Sequence, residues 1–109
     1  MKLFWTETAR QDLQAIRRYI AADNPAAAKR WVGRLKERAR DTLHSPLAGR
    51  KVPEFLRNDI REMIEGNYRI VYQVLEDRLV ILTVSEVFTF PPNLFVNRST
   101  PIAKNIANC

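Results

Sequence analysis

The stretch from Asn58 to Val84 constrains the fold more than any other, because it predicts three β-strands joined by two tight turns. At its centre, residues 68–75 read Tyr-Arg-Ile-Val-Tyr-Gln-Val-Leu. Side chains alternate along a strand, so this run places apolar groups on both of its faces. That pattern is typical of a central strand covered on both sides. Arg69 is the one charged residue in the run and is therefore the first candidate for a functional role.

Turn-forming residues mark the ends of the three strands. The first predicted strand, Asp59–Ile64, ends at the turn Glu65-Gly66-Asn67. The second ends before Glu76-Asp77, and the third covers Leu79–Val84. Connections this short make neighbouring strands antiparallel. Before them, the segment Ser45–Arg57 contains prolines and a glycine without periodicity, so it predicts a loop.

Two amphipathic helices are predicted ahead of that loop. Thr6 or Thr8 is suited to cap the first helix, whose apolar residues recur every three or four positions until it ends near Ala22. Asn24-Pro25 then restarts a helix, since asparagine accepts from the exposed amides and proline fits the first helical position. We expect this second helix to run to about His44.

These elements predict an α+β fold. A short apolar run at Met1–Trp5 adds a first strand, which gives the order β-α-α-β-β-β. Two helices joined by a short break form a hairpin, and we expect this hairpin to cover one face of a small, mostly antiparallel sheet.

Composition narrows the classes of partner. The chain has 109 residues, one domain's length, and its 18 Lys and Arg against 12 Asp and Glu give a formal charge of +6 and a pI near 10. A partner that is acidic is expected, either nucleic acid or an acidic protein. Cys109 is the only cysteine, which excludes an intrachain disulfide and a cysteine metal site and fits a reducing cytoplasm. We expect no membrane span and no signal peptide.

The sequence contains no self-contained catalytic or cofactor motif. His44 is the only histidine, and its place at a predicted helix end favours an interaction with the helix dipole. The carboxylates do not have metal-ligand spacing, and the glycines are isolated, so neither a metal nor a phosphate-bound cofactor is predicted.

Residues 87–109 differ from residues 1–86 and are predicted to lie outside the domain as an atypical tail. Two interpretations are open. The tail is frayed, as chain ends often are, or its large apolar residues cover an apolar patch on this chain or on a second copy. Those apolar residues are Phe88, Phe90, Leu94 and Phe95.

Arginine and lysine are the most prominent candidates for binding. The second helix has a basic face, which is either a solvated surface or a binding surface; it consists of Lys29, Arg30, Arg34, Lys36, Arg38 and Arg40. Arg61 and Arg69 flank the Gly66 turn and are expected to project from the same face of the sheet. With Arg50 or Lys51 they would bind phosphates or carboxylates. The alternative is that these arginines pair internally with Glu54 or Glu62.

An ordered set of residues from about Leu3 to Val84 makes the chain similar to a known family. The set comprises Trp5-Thr6, Ala9, Asp12-Leu13, Ile16, Tyr19-Ile20, Asn24-Pro25, Ala27-Ala28, Pro46, Gly49-Arg50, Val52-Pro53-Glu54, Arg61-Glu62, Tyr68-Arg69-Ile70-Val71-Tyr72 and Ile81-Leu82-Thr83-Val84. The chain resembles the RelE/ParE superfamily of toxins from bacterial type II toxin–antitoxin systems.

The resemblance implies a cognate antitoxin with an acidic and apolar C-terminal segment that wraps the toxin, and growth arrest when the toxin is free. We expect the helical hairpin and the sheet edge to form the antitoxin groove. Trp31 and Leu35 are candidate apolar contacts, although Trp31 would equally suit core packing between the helices. The candidate charged contacts with the antitoxin or target are Arg34, Arg38, Arg50, Lys51, Arg61 and Arg69.

The family is divided by mechanism. RelE-like members cut messenger RNA on the ribosome, whereas ParE-like members poison DNA gyrase. Arg69 and Arg61 correspond to basic sheet residues of RelE-like enzymes, and Glu54 or Glu65 is the candidate base. The C-terminal arginine and tyrosine of those enzymes have no counterpart, since neither Tyr nor His follows Tyr72.

Three functions therefore remain as hypotheses. We expect a ParE-like, non-enzymatic gyrase inhibitor that forms a heteromeric complex with its antitoxin. The alternatives are a RelE-like ribosome-dependent mRNA endonuclease and a small basic nucleic-acid-binding domain, for which binding would depend steeply on salt.

Overall fold

The computed structural model describes residues 1–55 and 57–87, together with the backbone of residues 106–108. The tail apolar residues Phe88, Phe90, Leu94 and Phe95 lie outside the described residues. The described elements are β1 (Lys2–Thr6), α1 (Glu7–Ala21), α2 (Pro25–Asp41), β2 (Arg50–Lys51), β3 (Ile60–Glu65), β4 (Tyr68–Val74), β5 (Arg78–Glu86) and β6 (Ile106–Asn108).

Side-chain caps set the starts of both helices. The Thr6 hydroxyl accepts from the amide of Ala9, and the Asn24 side chain accepts from the amide of Ala27, with Pro25 as the first helical residue. Each cap satisfies a backbone amide that the helix itself leaves free. Of the two candidate caps for the first helix, Thr6 and not Thr8 is the one used, and the predicted restart at Asn24-Pro25 is confirmed.

The end of α2 differs from the expectation. The α-helix stops at Asp41 rather than His44, and residues 42–44 continue as tighter turns. The amides of Leu43 and His44 donate to carbonyls three residues back, at Arg40 and Asp41. Such bonds are common in the last turn of a helix, and apolar periodicity does not distinguish them from a continuing α-helix.

The sheet has the order β2-β3-β4-β5-β1-β6. Strands β3, β4 and β5 form the predicted antiparallel meander, and β1 pairs in parallel with β5. The α+β fold with a helical hairpin on a mixed sheet is confirmed. Two short strands were not predicted: β2 lies inside the expected loop and pairs with β3, and β6 lies in the tail and pairs antiparallel with β1.

Both faces of the sheet are buried, as residues 68–75 predicted. On the helix-facing side, Ile70 and Tyr72 pack with Leu13 and Leu35 from the two helices. On the other side, Val71 belongs to a second core, which the segment after β2 covers; its buried members are Val52, Phe55, Ile60, Val71, Val80 and Leu82. The second core explains why β4 is apolar on both faces.

β5 contains a bulge, and three side-chain hydrogen bonds connect it to α1 and to the cap residue of α1, Thr6. Val71 lies opposite Thr83 while Tyr72 lies opposite Ile81, so Leu82 is an extra residue in β5. The Thr6 hydroxyl donates to the Leu82 carbonyl at 2.9 Å. One Asp12 carboxylate oxygen accepts from the Thr83 hydroxyl at 2.6 Å and from the Val84 amide at 3.0 Å.

Candidate functional site

Arg69 lies in a buried ion-pair cluster on the sheet face opposite the helices. Its guanidinium donates to Glu62 at 3.0 Å and to Glu54 at 2.9 Å, and its side chain is only 7% exposed. Glu62 is fully buried and also accepts from Arg50. We name Arg50, Glu54, Glu62 and Arg69 the Arg69 cluster. Its two arginines and two glutamates have no net charge, which is the internal pairing that the sequence left open.

After Arg50, Glu54 is the most exposed member of the Arg69 cluster, with 45% of its side chain open to solvent. Desolvation acts to raise the pKa of Glu54. The hydrogen bond from Arg69 and the positive charges of Arg69 and Arg50 outweigh it, so the pKa lies below its ordinary value. A carboxylate with a lowered pKa is a weaker base, which makes Glu54 poorly suited to take a proton near neutral pH.

Arg61 lies on the opposite face of the sheet from Arg69. In the β3–β4 register Arg61 faces Tyr72, whereas Arg69 faces Ile64, and these positions alternate in direction. The expectation that Arg61 and Arg69 project from one face is therefore wrong. Sequence spacing around a turn does not fix the register of the two strands. The partner of Arg69 is Ile64, three positions from Arg61, and side chains an odd number of positions apart in a strand point to opposite faces.

The Arg61 side chain holds the chain that leads into β2. Its guanidinium donates to the carbonyls of Gly49 at 3.0 Å and Leu47 at 3.3 Å, and to the Asn58 side chain at 2.8 Å. These bonds satisfy loop carbonyls that β2 does not pair. Arg61 thus fixes the loop, while Lys51 beside it in β2 is exposed.

Tyr72 and Gly49 fix the same loop from the core side. The Tyr72 hydroxyl donates to the Pro46 carbonyl at 2.9 Å and accepts from the Gly49 amide at 3.2 Å. A Cβ at Gly49 would lie 2.2 Å from this hydroxyl and 2.8 Å from the Glu62 carbonyl. Burial raises the pKa of Tyr72 more than the Gly49 bond lowers it. Because of these two close approaches, only glycine fits at position 49.

Trp31 packs against the β3–β4 turn. Its ring meets Tyr68 edge to face, with centroids 5.7 Å apart, and it fills the space beside Gly66, whose φ is 60°. The Arg34 guanidinium stacks over the Trp31 ring at 4.3 Å and also pairs with Glu65 at 2.5 Å. Trp31 is half-buried, so the core-packing alternative describes much of its surface.

Leu35 and Arg38 turn toward the sheet. Leu35 is completely buried in the core between the helices and the sheet. It is a core residue and offers no surface to a partner in this structure, because its helical position faces inward. Arg38 is half-buried, with its Nε 3.8 Å from Glu65.

A long depression follows the groove between α1 and α2 and reaches β1 at one end. Three adjoining cavities have volumes of about 740, 250 and 580 Å³. Lys36 lines all three, and the residues that line two of them are Trp5, Arg10, Arg17 and Val32. We name this surface the helix trough. It runs beside α2, whose 17 residues span about 25 Å at 1.5 Å per residue. Its charged lining consists of Lys2, Arg10, Arg17, Lys29, Lys36 and Arg40.

The trough is basic and has an apolar floor. In the described part of the chain, no Asp or Glu lines it. Its lining also includes Trp5, Leu13 and Val32. Arg40 is the one lining cation with a described ion pair, to Glu37 at 2.9 Å. Uncompensated cations beside apolar side chains favour a partner that is both acidic and apolar.

Sequence reasoning assigned none of the trough cations from α1 to binding. A signal for them is present: Arg10 and Arg17 are seven residues apart, as are Lys29 and Lys36. A spacing of seven places side chains on one face of a helix. What the spacing does not give is the relative rotation of the two helices, which brings both pairs to one groove.

Within residues 1–55 and 57–87, no group of three His, Cys, Asp or Glu side chains is arranged to hold a metal ion. None of the described helices has the length and hydropathy needed to span a membrane.

The fold and the sequence were compared with known proteins. A chain of the chromosomal ParDE TA system from P. aeruginosa has a similar structure, with a TM-score of 0.67 and 24% identity over 80% of this chain and 96% of that one. A chain of the RelBE2 toxin–antitoxin complex of Mycobacterium tuberculosis gives a TM-score of 0.58 and 25% identity over 78% of this chain and 95% of that one.

The family comparison covers most of the chain. No curated protein sequence matches significantly. The model of the family described as ParE toxin of type II toxin-antitoxin system, parDE, matches residues 3–86, which include both helices and strands β1 to β5. The chain therefore belongs to the ParE toxin family of type II toxin–antitoxin systems.

Proposed function

We propose that this protein is a toxin that binds and inhibits DNA gyrase, and that a cognate acidic antitoxin neutralises it. The observation that carries the proposal is the contrast in the basic residues. Arg69 and Arg61 are occupied by contacts within the chain, whereas most of the trough cations have no described acidic partner. This arrangement supports a protein that acts by binding.

The helix trough is the proposed antitoxin site. An amphipathic helix of the antitoxin would place its apolar face on the half-buried Leu3, Val32 and Leu43, and its carboxylates beside Arg17 and Lys36. The α2 helix beside the trough is about 25 Å long, a length that four to five turns of a partner helix would match. Lys51, on the far edge strand β2, and Arg34, both exposed, remain candidate contacts with the target.

RNA cleavage is less well supported. In-line attack by a 2′-hydroxyl needs a base and groups that stabilise the charged transition state. Arg69 already donates to two carboxylates, and the lowered pKa of Glu54 makes it a weak base. The likeness to the RelBE2 complex keeps this activity as the second candidate.

Gyrase assays test the target. Purified toxin at micromolar excess is expected to reduce ATP-dependent supercoiling and to raise the amount of cleaved DNA–gyrase complex. Addition of the antitoxin should reverse both effects. Unchanged supercoiling together with unchanged cleavage would rule out gyrase inhibition. Programmed ribosomes provide the parallel assay, in which A-site cleavage of mRNA would instead support the second candidate.

Coexpression tests the antitoxin. The product of an adjacent small acidic open reading frame is expected to copurify with the toxin. Arg17→Glu with Lys36→Glu should disrupt the complex, while Arg18→Glu, an exposed α1 residue outside the trough lining, should not. Equal recovery with all three proteins would exclude the trough as the site.

A further inference from the structure

The two edges of the sheet are protected in different ways. At one edge, β2 is only two residues long, and both residues are exposed cations, Arg50 and Lys51. Short, charged edges are poor templates for an added strand. At the other edge, the described pairs of β6 with β1 are Phe4 with Asn108, Trp5 with Ala107 and Thr6 with Ile106. The chain's own C-terminal strand therefore occupies this edge.

The topology makes this pairing easy within one molecule. Strand β1 is parallel to β5 and antiparallel to β6, so β6 begins at the end of the sheet where β5 finishes. Two strand spacings separate β5 from β6, about 10 Å. In the sequence, 18 residues separate Val87 from Ile106, and a chain of that length can span up to roughly 60 Å, so chain length does not prevent the pairing.

Without β6, the β1 edge would be a good site for strand addition. β1 has the sequence Lys-Leu-Phe-Trp-Thr, with three consecutive large apolar residues. The edge is continuous with the helix trough, because Trp5 of β1 lines the trough together with Arg10 and Lys36. A partner that lies in the trough can therefore extend along β1 as a strand.

We propose that β6 is an intramolecular competitor, which occupies the β1 edge and must be displaced when an extended segment of the acidic partner adds to the sheet there. The inference rests on the proposed function for the identity of the partner. The competition itself is a property of this chain. A tethered strand competes at a high effective concentration, in the millimolar range for a flexible link, so it weakens a partner's binding without blocking it.

The first experiment opens the edge in the full chain. Ala107→Pro removes an amide from the middle of β6 and disfavours strand pairing. The probe is a synthetic peptide with the sequence of residues 100–109, in which Cys109 is replaced by Ser. The amide NMR signals of β1 are expected to shift saturably at a peptide concentration at least tenfold lower for Ala107→Pro than for the unaltered chain.

A matched variant controls for the proline. Ala103→Pro places the same residue earlier in the tail, outside β6, and should behave as the unaltered chain does. Circular dichroism and thermal unfolding show whether each variant is folded. An equal peptide response from Ala107→Pro and the unaltered chain, or no response from either, would overturn the proposal.

The second experiment closes the edge. Phe4→Cys and Asn108→Cys, with Cys109→Ser, place two thiols at directly opposed positions, whose Cα separation in a ladder suits a disulfide. The oxidised protein is expected to bind the copurified acidic partner at least tenfold more weakly than the same protein after reduction. Failure of the disulfide to form, or equal binding of the two forms, would contradict the inference.

The two proposals fail in different ways. If no acidic partner copurifies but the peptide discriminates Ala107→Pro from the unaltered chain, the proposed function is wrong and the competition at the β1 edge remains. If the partner binds the oxidised and reduced proteins equally, the function remains and the competition is excluded.

Discussion

The Arg69 cluster and the helix trough contain the same types of basic residue in opposite environments. In the cluster, Arg69 is almost fully buried and donates to two glutamates. In the trough, Arg10, Arg17 and Lys36 are exposed and no described acid lines the surface with them. The cluster therefore contributes to the stability of the fold, whereas the trough offers free cations at the surface and is the proposed binding site.

The difference shows that charge in a sequence is not itself evidence of a binding site. A buried guanidinium persists only when carboxylates satisfy it. An exposed cation without a partner adds little to stability and remains free to meet one. The two regions should therefore respond to mutation in opposite ways, one in unfolding free energy and the other in affinity.

The largest expected effect is on the Arg69 cluster. Arg69→Ala leaves Glu62 buried with only its bond from the exposed Arg50. Breaking a buried pair by removing one partner costs about 3–5 kcal/mol. Urea denaturation should show a loss of this size in the free energy of unfolding, and Arg17→Ala, in the trough, should change it by less than about 0.5 kcal/mol.

A double variant separates ion pairing from packing. Replacement of both buried partners, Arg69→Met with Glu62→Leu, leaves no buried charge and should recover most of the loss. If Arg69→Ala were as stable as the unaltered protein and instead lost affinity for the antitoxin, the assignment of the cluster to the fold would be wrong.

Alanine substitution of one glycine in each region should have opposite effects on stability. Gly49→Ala, beside the cluster, forces a Cβ to within 2.2 Å of the Tyr72 hydroxyl, and overpacking of this kind costs about 2–3 kcal/mol. Gly33 lines the trough, in an exposed turn of α2 with no heavy atom within 4 Å of a Cβ. Gly33→Ala should therefore stabilise the protein by about 0.5–1 kcal/mol. Thermal unfolding measures both, and a loss at Gly33 would contradict the description of an open groove.

Charge reversal in the trough should change affinity with little effect on stability. Arg17→Glu is expected to weaken antitoxin binding by at least tenfold, about 1.4 kcal/mol, because it places like charges together. Titration calorimetry at two salt concentrations checks this, since screening reduces the difference at high salt. Arg18→Glu is the control, and an equal loss there would point to overall charge rather than to the trough.

The smallest expected effect is the pH dependence of Glu54. Its pKa in the folded protein lies below the ordinary value of 4.5, so its contribution to stability is present above that value and is lost as the pH falls through the folded pKa. Because nearly half of the side chain is exposed, solvent screening keeps the contribution below about 1 kcal/mol. The difference in unfolding free energy between the unaltered protein and Glu54→Gln should shrink from pH 7 to pH 3; a constant difference would exclude the ion pair.

Local sequence signals predicted most of the fold. Thr6 and Asn24-Pro25 gave the helix starts, and the two-sided apolar run gave β4 as a central strand. The strands β2 and β6 escaped prediction because two or three residues contain no measurable alternation. Their existence depends on partners distant in sequence, β3 and β1.

The site was harder to predict than the fold. Arg69 was singled out correctly as unusual, but only the contacts show that Glu62 and Glu54 neutralise it. Arg61 was assigned to the wrong face because one residue of register reverses the direction of a side chain. The trough depends on the packing of α1 against α2, which the sequence of either helix does not contain.

The parallel pairing of β1 with β5 affects how the molecule is made. β1 is translated first, but it can pair with β5 only after residues 78–86 have been synthesised. The hydrogen bonds from Thr83 and Val84 to Asp12 likewise form only after that point. Contacts this far apart in sequence slow folding. Translation must therefore pass Glu86 before the native sheet can form, and a shorter nascent chain lacks the complete β1–β5 ladder.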